Sequence, residues 1–311
     1  MSTTAHVPVE QASLAQITAN YLSVVDRVAA AAERVGRAPG EVIIVGAAKT
    51  IAAERIQAAV DAGLRHVGEN YVQEAIRKHC LIGNAVAWHV IGHLQTNKAR
   101  RVVSFCSLIH SLDRLRLAEE LSKLAVQDGK EIDCLVEVNL GGEETKSGAK
   151  PGTVLDLIVK VAGLEGICIR GLMCMPPFFP DNERVRPYFR KLQELAGEVT
   201  RKGLPGVSMD HLSMGMSHDF EVAIDNGVPM TLVASQQGGA SLATDHRAPQ
   251  TSIVQGIPAE TPSPWAYIIA AADETDCEFE CLLDDGRWLR TISDFTLEPL
   301  AVGDHHVLVR A

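Results

Sequence analysis

The chain has 311 residues, 46% hydrophobic and 22% charged, which is typical of a globular protein with enough apolar material for a large core. Its 29 basic and 39 acidic residues give a formal net charge of −10, and duplex binding needs a basic surface, so we expect no nucleic-acid partner. No apolar run reaches the roughly 18 residues of a membrane span, and the N-terminus has no secretory signal pattern, so we expect a cytoplasmic protein without membrane association.

The elements alternate regularly along the first part of the chain. An amphipathic helix over residues 13–37 ends at Pro39-Gly40, and short apolar runs then alternate with helical stretches. The predicted strands cover residues 41–49, 64–70, 87–92, 107–112, 133–140, 167–175, 207–214 and 229–235. Helical stretches separate these strands, a pattern that predicts an α/β (β/α)8 barrel. An open doubly wound sheet is the alternative, but no G-x-G-x-x-G follows the first strand.

The character of the sequence changes after residue 235. Residues 236–264 are rich in Gly, Pro, Ser and Thr and predict a linker. Residues 265–311 alternate as strands do, with Asp285-Gly286 as a hairpin turn, and predict a small β-rich module of unknown role. We therefore divide the chain into a barrel over residues 1–235, this linker and this module.

The seven cysteines favour a reducing compartment. Their number is odd and several lie within apolar runs, which is typical of buried free thiols in the cytosol. They are Cys80, Cys106, Cys134, Cys168, Cys174, Cys277 and Cys281. Cys277 and Cys281 have no matching second pair, so no zinc site is expected there.

Lys49 ends the first predicted strand. Binding and catalytic residues of a barrel lie at the carboxyl ends of its strands, so Lys49 is expected at the mouth of the barrel. An amine in that place can act as a nucleophile toward a carbonyl group. A solvated lysine just past a strand is the alternative, because Thr50 as N-cap and Glu54 as a first-turn acid also fit the start of a helix.

Polar residues recur at the ends of most other predicted strands, which is how a site at a barrel mouth is assembled. They lie in GENYVQE after the second strand, WHVIGHLQTNK at the third, NLGGEETKSG at the fifth, IRGLM at the sixth and HLSMGMSHD at the seventh. The histidines and acids among them are not spaced for a metal site or for a Ser/His/Asp arrangement. These stretches are therefore the candidates for a binding site built around Lys49.

With these stretches, residues 15 to about 233 resemble the pyridoxal phosphate homeostasis protein family, whose members are alanine-racemase-like barrels. The matching motifs, in this order, are A-K-T, G-E-N-Y-V-Q-E, W-H-x-I-G-x-L-Q-x-N-K, E-x-K-S-G, R-G-L-M and L-S-M-G-M-S. The resemblance implies a barrel of the fold-type III kind that holds pyridoxal 5′-phosphate (PLP, the active form of vitamin B6) as a Schiff base. It implies these roles: Lys49 as the Schiff-base lysine, Asn70 near the cofactor ring, and Ser213, Met214 and Ser217 near its phosphate.

The chemistry of PLP suggests further roles. The cofactor needs an amine for its aldehyde, donors for its phosphate and a partner for its pyridine nitrogen. Arg170 is a candidate for that partner, and because arginine only donates it would leave the nitrogen unprotonated, although a structural ion pair inside the barrel is the alternative for Arg170. His89 is expected to be a packed core histidine, and Ser217 also fits the N-cap of the next helix, where Asp219 and Glu221 would repel a phosphate.

The eighth strand departs from the family. The family pattern there is roughly V-R-I-G-T/S, whose arginine, glycine and hydroxyl help to hold the phosphate. In this chain the three positions hold Leu232, Ala234 and Ser235. Loss of one hydrogen bond to a charged group is worth about 1.5–3 kcal/mol, which lowers affinity by roughly tenfold to a hundredfold. Ser235 alone is therefore carried over from this strand as a phosphate contact.

Three functions are compatible with the sequence. The first is a PLP-binding protein of intracellular PLP homeostasis, a monomer or weak homodimer that holds the cofactor without evident turnover. The second is a PLP-dependent amino-acid racemase or lyase, in which Tyr267 of the tail would face the lysine. The third is a degenerate barrel that has lost PLP and acts as an interaction module, a reading motivated by the altered eighth strand.

Overall fold

The computed structural model describes residues 14–143 and 146–226 in full and, after residue 226, the backbone of seven strands. Its architecture is built from short apolar segments that alternate with amphipathic helices. Within the described part of the chain, no helix combines the length and apolar character needed to cross a membrane, and no group of three or more His, Cys, Asp or Glu side chains is arranged to hold a metal ion.

Eight parallel strands close into a barrel in chain order. They are β1 (Ile43–Ala47), β2 (His66–Glu69), β3 (Ala87–Val90), β4 (Cys106–Leu112), β5 (Ile132–Glu137), β6 (Ile167–Met173), β7 (Val207–Met214) and β8 (Met230–Val233). Closure is shown by the pairing of β8 with β1, in which Val45 lies opposite Leu232. The prediction of a (β/α)8 barrel is confirmed.

Eight α-helices of the described chain surround the strands. They are α1 (Leu14–Arg34), α2 (Ala53–Asp61), α3 (Val72–Ile82), α4 (Ala99–Val103), α5 (Leu115–Asp128), α6 (Val154–Ala162), α7 (Arg186–Thr200) and α8 (Phe220–Asp225). Helix α1 precedes the barrel and buries Val28, Ala31 and Ala32, three residues on one face, against Val42 and Phe220. This contact joins the start of the described chain to the end of the barrel.

The apolar core has an outer and an inner part. The outer part lies between strands and helices, where side chains such as Leu121 and Phe189 are fully buried, each worth about 1.5–3 kcal/mol relative to an exposed side chain. The inner part lies within the barrel and joins Val45, Leu108 and Leu135, with Met173. Side chains therefore fill the barrel, and a ligand is restricted to the ends of the strands.

Two predicted helix caps were wrong. The N-cap of α2 is Ala52 rather than Thr50, and the N-cap of α8 is Asp219 rather than Ser217. Thr50 instead lies in a turn with a positive φ of 61°. Both predictions rested on local side-chain preference. At Thr50 a contact with the distant Glu74 competes with that preference, and at the start of α8 the carboxylate of Asp219 accepts the Met216 N–H. The first-turn position predicted for Glu54 is confirmed.

The described cysteines are free thiols, as expected. Cys134, Cys168 and Cys174 are buried, Cys106 is half-buried and Cys80 is exposed. The side chains of the two remaining cysteines, in the tail, lie outside the described residues.

The chain divides into two compact units, residues 1–238 and 239–311. The described strands of the second unit are β9 (Thr251–Gln255), β10 (Tyr267–Ala272), β11 (Glu278–Leu282), β12 (Trp288–Ile292), β13 (Asp294–Thr296) and β14 (Leu308–Arg310). They form two antiparallel sheets, one with the strand order β13-β10-β9 and one with the order β12-β11-β14.

The tail differs from its prediction in one respect, because β9 lies inside the segment predicted as a linker, residues 236–264. Strands β11 and β12 pair in antiparallel fashion around the predicted hairpin turn. The turn itself, Asp285-Gly286, lies outside the described residues. The domain boundaries and the role of residues 265–311 stay predictions.

Candidate functional site at the mouth of the barrel

Lys49 lies at the carboxyl end of β1, two residues after the last strand residue. The backbone N–H of Ala48 donates to the carbonyl of Gly68 at 2.9 Å, and the N–H of Ile51 donates to the carbonyl of Ala48 at 3.0 Å. These two bonds hold Lys49 in a tight turn between β1 and α2, at the end of the barrel where binding residues are expected.

A second lysine, buried below this turn, fixes it in place. The Nζ of Lys78 in α3 donates to the carbonyl of Ala48 at 2.7 Å, to Glu69 Oε1 at 2.6 Å and to Glu74 Oε2 at 2.6 Å. Glu74 Oε2 also accepts the backbone N–H of Thr50 at 3.1 Å. The residues on both sides of Lys49 are thereby tied to α3. Both glutamates lie in the motif GENYVQE, but no pattern in the sequence indicated the position of Lys78.

The amine of Lys49 is left without a counter-ion in the described chain. Lys78 takes both nearby carboxylates, and the Nζ of Lys49 lies 5.3 Å from the centre of the Tyr71 ring. An aromatic face stabilises a cation but leaves its N–H groups free to donate hydrogen bonds elsewhere. Burial raises the pKa of Glu69 to about 7, although Lys78 opposes the shift. The half-buried amine of Lys49 is therefore available to a ligand.

Asn70 follows β2 beside Lys49 and is half-buried. A Cβ built on Gly92 would lie 2.7 Å from the Cα of Asn70, so only glycine permits the turns after β2 and β3 to approach this closely. The side-chain amide of Asn70 makes no hydrogen bond within the described residues. It can therefore supply a donor and an acceptor to a ligand at the mouth.

The three residues at the end of β7 that were predicted to lie near a phosphate have different surroundings. Ser213 is fully buried, and its Oγ is paired with His110. The Met214 side chain points outward into the outer core. The Oγ of Ser217 is buried and has no partner among the described residues. Of the three side chains, Ser217 is the one left to accept a new partner, and contacts to a phosphate from Ser213 and Met214 stay predictions.

An acid closes the loop between β7 and α8. A carboxylate oxygen of Asp219 accepts the backbone N–H of Met216, and the other lies 3.2 Å from His218 Nε2. Burial raises the pKa of Asp219. An anion placed over the start of α8 would meet this carboxylate, so donors for a phosphate must come from the preceding loop.

A chain of three histidines crosses the barrel below the mouth. Nδ1 of His66 lies 3.0 Å from Nε2 of His89, Nδ1 of His89 lies 2.8 Å from Nε2 of His110, and Nδ1 of His110 lies 2.9 Å from Ser213 Oγ. Burial lowers the pKa of each imidazole, that of His110 to about 3, so all three are neutral at pH 7. The prediction that His89 is a packed core histidine is confirmed.

Arg170 lies in the lower half of the barrel. Its Nε donates to Asp133 Oδ1 at 2.8 Å, and Asp133 is only the second residue of β5, near the end of the barrel opposite Lys49. The ion pair weighed as an alternative in the sequence analysis is therefore present. Contact between Arg170 and a cofactor stays a prediction that no contact in the structure supports.

The loop after β5 is organised by its own side chains. Asn139 Nδ2 donates to the carbonyls of Glu143 and Lys146 at 2.8 and 3.1 Å, and the Lys146 ammonium pairs with Glu143 at 2.9 Å. These contacts give the loop beside the mouth its shape.

The residues that depart from the family pattern lie at the edge of the described chain. Leu232 belongs to β8, but its side chain lies outside the described part. Ala234 and Ser235 also lie outside it. The predicted contact between Ser235 and a phosphate therefore stays a prediction.

Comparison with known proteins identifies the barrel. The family described as "Alanine racemase, N-terminal domain" matches residues 13–233. The pyridoxal phosphate homeostasis protein of Aquifex aeolicus is 43% identical over 213 residues, which cover 68% of this chain and 92% of the relative. The protein of the same name from Escherichia coli K12 is 36% identical over 228 residues, 72% of this chain and 96% of the relative.

Solved structures give the same result. PipY of Synechococcus elongatus with PLP bound is 32% identical, with a TM-score of 0.61 over 70% of this chain and 100% of PipY. A protein described as unknown from Bifidobacterium adolescentis is 35% identical, with a TM-score of 0.66 over 75% of this chain and 98% of that protein. The alanine racemase of Clostridium difficile, at 14% identity and a TM-score of 0.52, shares the fold.

Proposed function

Since the chain belongs to the pyridoxal phosphate homeostasis protein family, we propose that it binds PLP through Lys49 at the mouth of its barrel and serves intracellular PLP homeostasis. When bound, PLP would supply an aldehyde that could condense with the Lys49 amine, with the loss of one water. The protein supplies the position of that amine and the polar groups around it.

The residues at the mouth fit such a ligand. Lys49 has no counter-ion, the amide of Asn70 has no hydrogen bond, and the buried Oγ of Ser217 has no partner, each statement holding for the described residues. A buried hydroxyl without a partner costs about 1–3 kcal/mol, and a phosphate oxygen would remove that cost. Three polar groups without partners at one end of the barrel could all be satisfied by one small polar ligand.

One observation carries the proposal. Lys78 pairs with both Glu69 and Glu74, and neither carboxylate forms an ion pair with Lys49. The arrangement keeps one amine free at the end of β1, which is what covalent capture of an aldehyde requires.

The proposed role is to hold PLP without evident turnover, in a monomer or weak homodimer in the cytoplasm. The racemase or lyase alternative needs Tyr267, which begins β10, and its side chain lies outside the described residues. Assays of racemisation and lyase activity on amino acids test this point, and turnover that Tyr267→Phe abolishes would replace the proposal with that alternative. Size-exclusion chromatography with light scattering tests the oligomeric state.

The binding proposal is tested by visible spectra of the purified protein with PLP added and removed. Wild type is expected to show the absorbance of a Schiff base, and Lys49→Ala to lose it. Lys123→Ala is the matched control, because Lys123 is exposed on α5, remote from the mouth. After borohydride reduction, peptide mass spectrometry is expected to find the pyridoxyl group on Lys49. No absorbance in wild type would contradict the proposal and favour the degenerate barrel.

A further inference from the structure

Glu137 is an inward-facing acid on the strand opposite β1. Side chains alternate along β5, so that Val136 packs in the outer core while Leu135 packs inside the barrel against Val45. Glu137 is the last residue of β5 and lies on the same inward face as Leu135, one layer closer to the mouth. Because β5 is four strands from β1 in either direction around the closed barrel, the two strands face each other across it.

The side chain of Glu137 is largely buried and has no polar partner among the described residues. The residue is 9% exposed, and its side chain makes no hydrogen bond or ion pair with any residue that the structure describes. Burial raises the pKa of Glu137 to about 7, and the negative charge of Asp113 adds to the shift. Near neutral pH the group therefore carries a proton in much of the population and can donate it to an acceptor.

The nearest charges exclude a phosphate from this side of the mouth. Asp113 pairs with Arg114 at 2.5 Å and lies 3.4 Å from His93 Nδ1, so the neighbouring guanidinium is already engaged. A phosphate beside Glu137 and Asp113 would meet like charge. The protonated carboxyl of Glu137 can instead donate a hydrogen bond to an uncharged acceptor.

PLP has such an acceptor in the appropriate direction. Its ring nitrogen is para to the carbon that bears the aldehyde, so a ring joined to Lys49 on β1 directs its nitrogen away from that strand. We propose that Glu137 donates a hydrogen bond to the pyridine nitrogen of bound PLP, an inference that rests on the proposed function. Arg170 was the candidate for this contact from the sequence. It is paired with Asp133, which precedes Glu137 by four residues on β5 and lies lower in the barrel.

The inference is tested by titrating three variants with PLP and measuring affinity from the visible spectrum. Glu137→Leu removes the donor and is expected to weaken binding about tenfold to a hundredfold. Glu137→Gln keeps a donor and is expected to bind near the wild-type affinity. Asp133→Asn is the matched control, an inward acid on the same strand at the other end of the barrel, and is expected to leave affinity unchanged.

Each outcome separates the inference from the function on which it rests. If wild type binds PLP and Glu137→Leu binds it as tightly, the inference is overturned and the proposed function stands. If Asp133→Asn weakens binding as much as Glu137→Leu, the ion pair of Arg170 is implicated and the inference is again overturned. If wild type binds no PLP, both fall.

A second measurement does not depend on affinity. The ¹⁵N resonance of isotopically labelled PLP reports whether its nitrogen accepts a hydrogen bond, and we expect that signature in wild type and its loss in Glu137→Leu. Glu137→Ala serves in its place should the leucine variant not fold. Equal nitrogen shifts in wild type and variant would overturn the inference.

Discussion

The mouth of the barrel and the histidine chain below it differ in whether their polar side chains have hydrogen-bonding partners. Below the mouth, each imidazole of the histidine chain meets another polar group, and Arg170 is paired with Asp133. At the mouth, the amine of Lys49, the hydroxyl of Ser217 and the carboxyl of Glu137 have no hydrogen-bonding partner among the described residues. Both regions are polar, so polarity alone does not mark the site.

This difference teaches that a site is recognised by what is left unsatisfied. A buried polar group with a partner contributes about 0.5–1.5 kcal/mol to stability, whereas one without a partner costs about 1–3 kcal/mol. A ligand that completes a group of the second kind removes that cost, as we propose for Ser217. The predictions below test whether the two regions respond differently when their groups are removed.

The largest expected effect comes from the lysine that underlies the mouth. Lys78→Met leaves Glu69 and Glu74 buried without a counter-ion, and breaking a buried ion pair from one side costs about 3–5 kcal/mol. Urea unfolding monitored by circular dichroism measures the loss. Lys123→Met is the control, since its exposed pair with Glu120 is worth at most about 1 kcal/mol. Equal stability of Lys78→Met and wild type would mean that the buried pair does not hold the Lys49 turn.

The histidine chain is expected to make the fold sensitive to acid. Burial lowers the pKa of His110 to about 3 in the folded protein, against an ordinary histidine pKa of 6.5 that applies after unfolding. The unfolded chain therefore binds the proton first, and stability is lost as pH falls below about 6.5. Between pH 7.5 and pH 5 this single group accounts for a loss of about 2 kcal/mol.

The source of that acid sensitivity is tested with His110→Gln. The variant is expected to be less stable at pH 7.5 but to lose less stability on going to pH 5, as measured by urea unfolding at both pH values. His93→Gln is the control, because His93 is exposed at the mouth. An unchanged pH dependence in His110→Gln would show that the acid sensitivity arises elsewhere.

Two serines give the smallest and most direct comparison. Ser213→Ala removes the hydroxyl that ends the histidine chain and is expected to lower the free energy of unfolding by about 1 kcal/mol. Ser217→Ala removes a hydroxyl without a partner, so the ligand-free protein is expected to keep or gain stability while PLP affinity falls. Thermal unfolding with and without PLP measures both. Equal losses of stability from the two substitutions would contradict the proposed difference between a hydroxyl with a partner and one without.

The sequence predicts the barrel well because its signals are local. Each strand is a short apolar run that ends in polar or glycine residues, and β1 and β7 lie where the runs place them. Lys49 is found by the same logic, since the position of a barrel site follows from where the first strand ends. The motifs add the resemblance from which PLP is expected.

The parts that the sequence analysis missed depend on closure of the barrel. His66, His89 and His110 lie on three neighbouring strands, and their contact requires the inward face and the register of each strand. Ser213, which ends that chain, lies 103 residues after His110. A one-residue change of register would turn these side chains outward, so no local pattern reveals the chain.

The pairings of the charged residues were missed for the same reason. Lys78 reaches the carbonyl of Ala48 across 30 residues, and Arg170 reaches Asp133 across 37. For Arg170 the sequence left a structural ion pair and a cofactor contact open. Its position four residues into β6 could be judged against Lys49 only when the strands were placed side by side.

Thr50 gives the turn beside Lys49 a further property. It is the single non-glycine residue of the described chain with a φ in the left-handed region, and for a β-branched residue this conformation stores about 1–3 kcal/mol of strain. The bonds from Glu74 and Lys78 hold the turn against that strain. The lysine is thus preorganised during folding, before any ligand arrives. Under the proposed function, binding of an aldehyde at Lys49 would therefore involve little loss of backbone entropy, and its release would leave the turn in the same conformation.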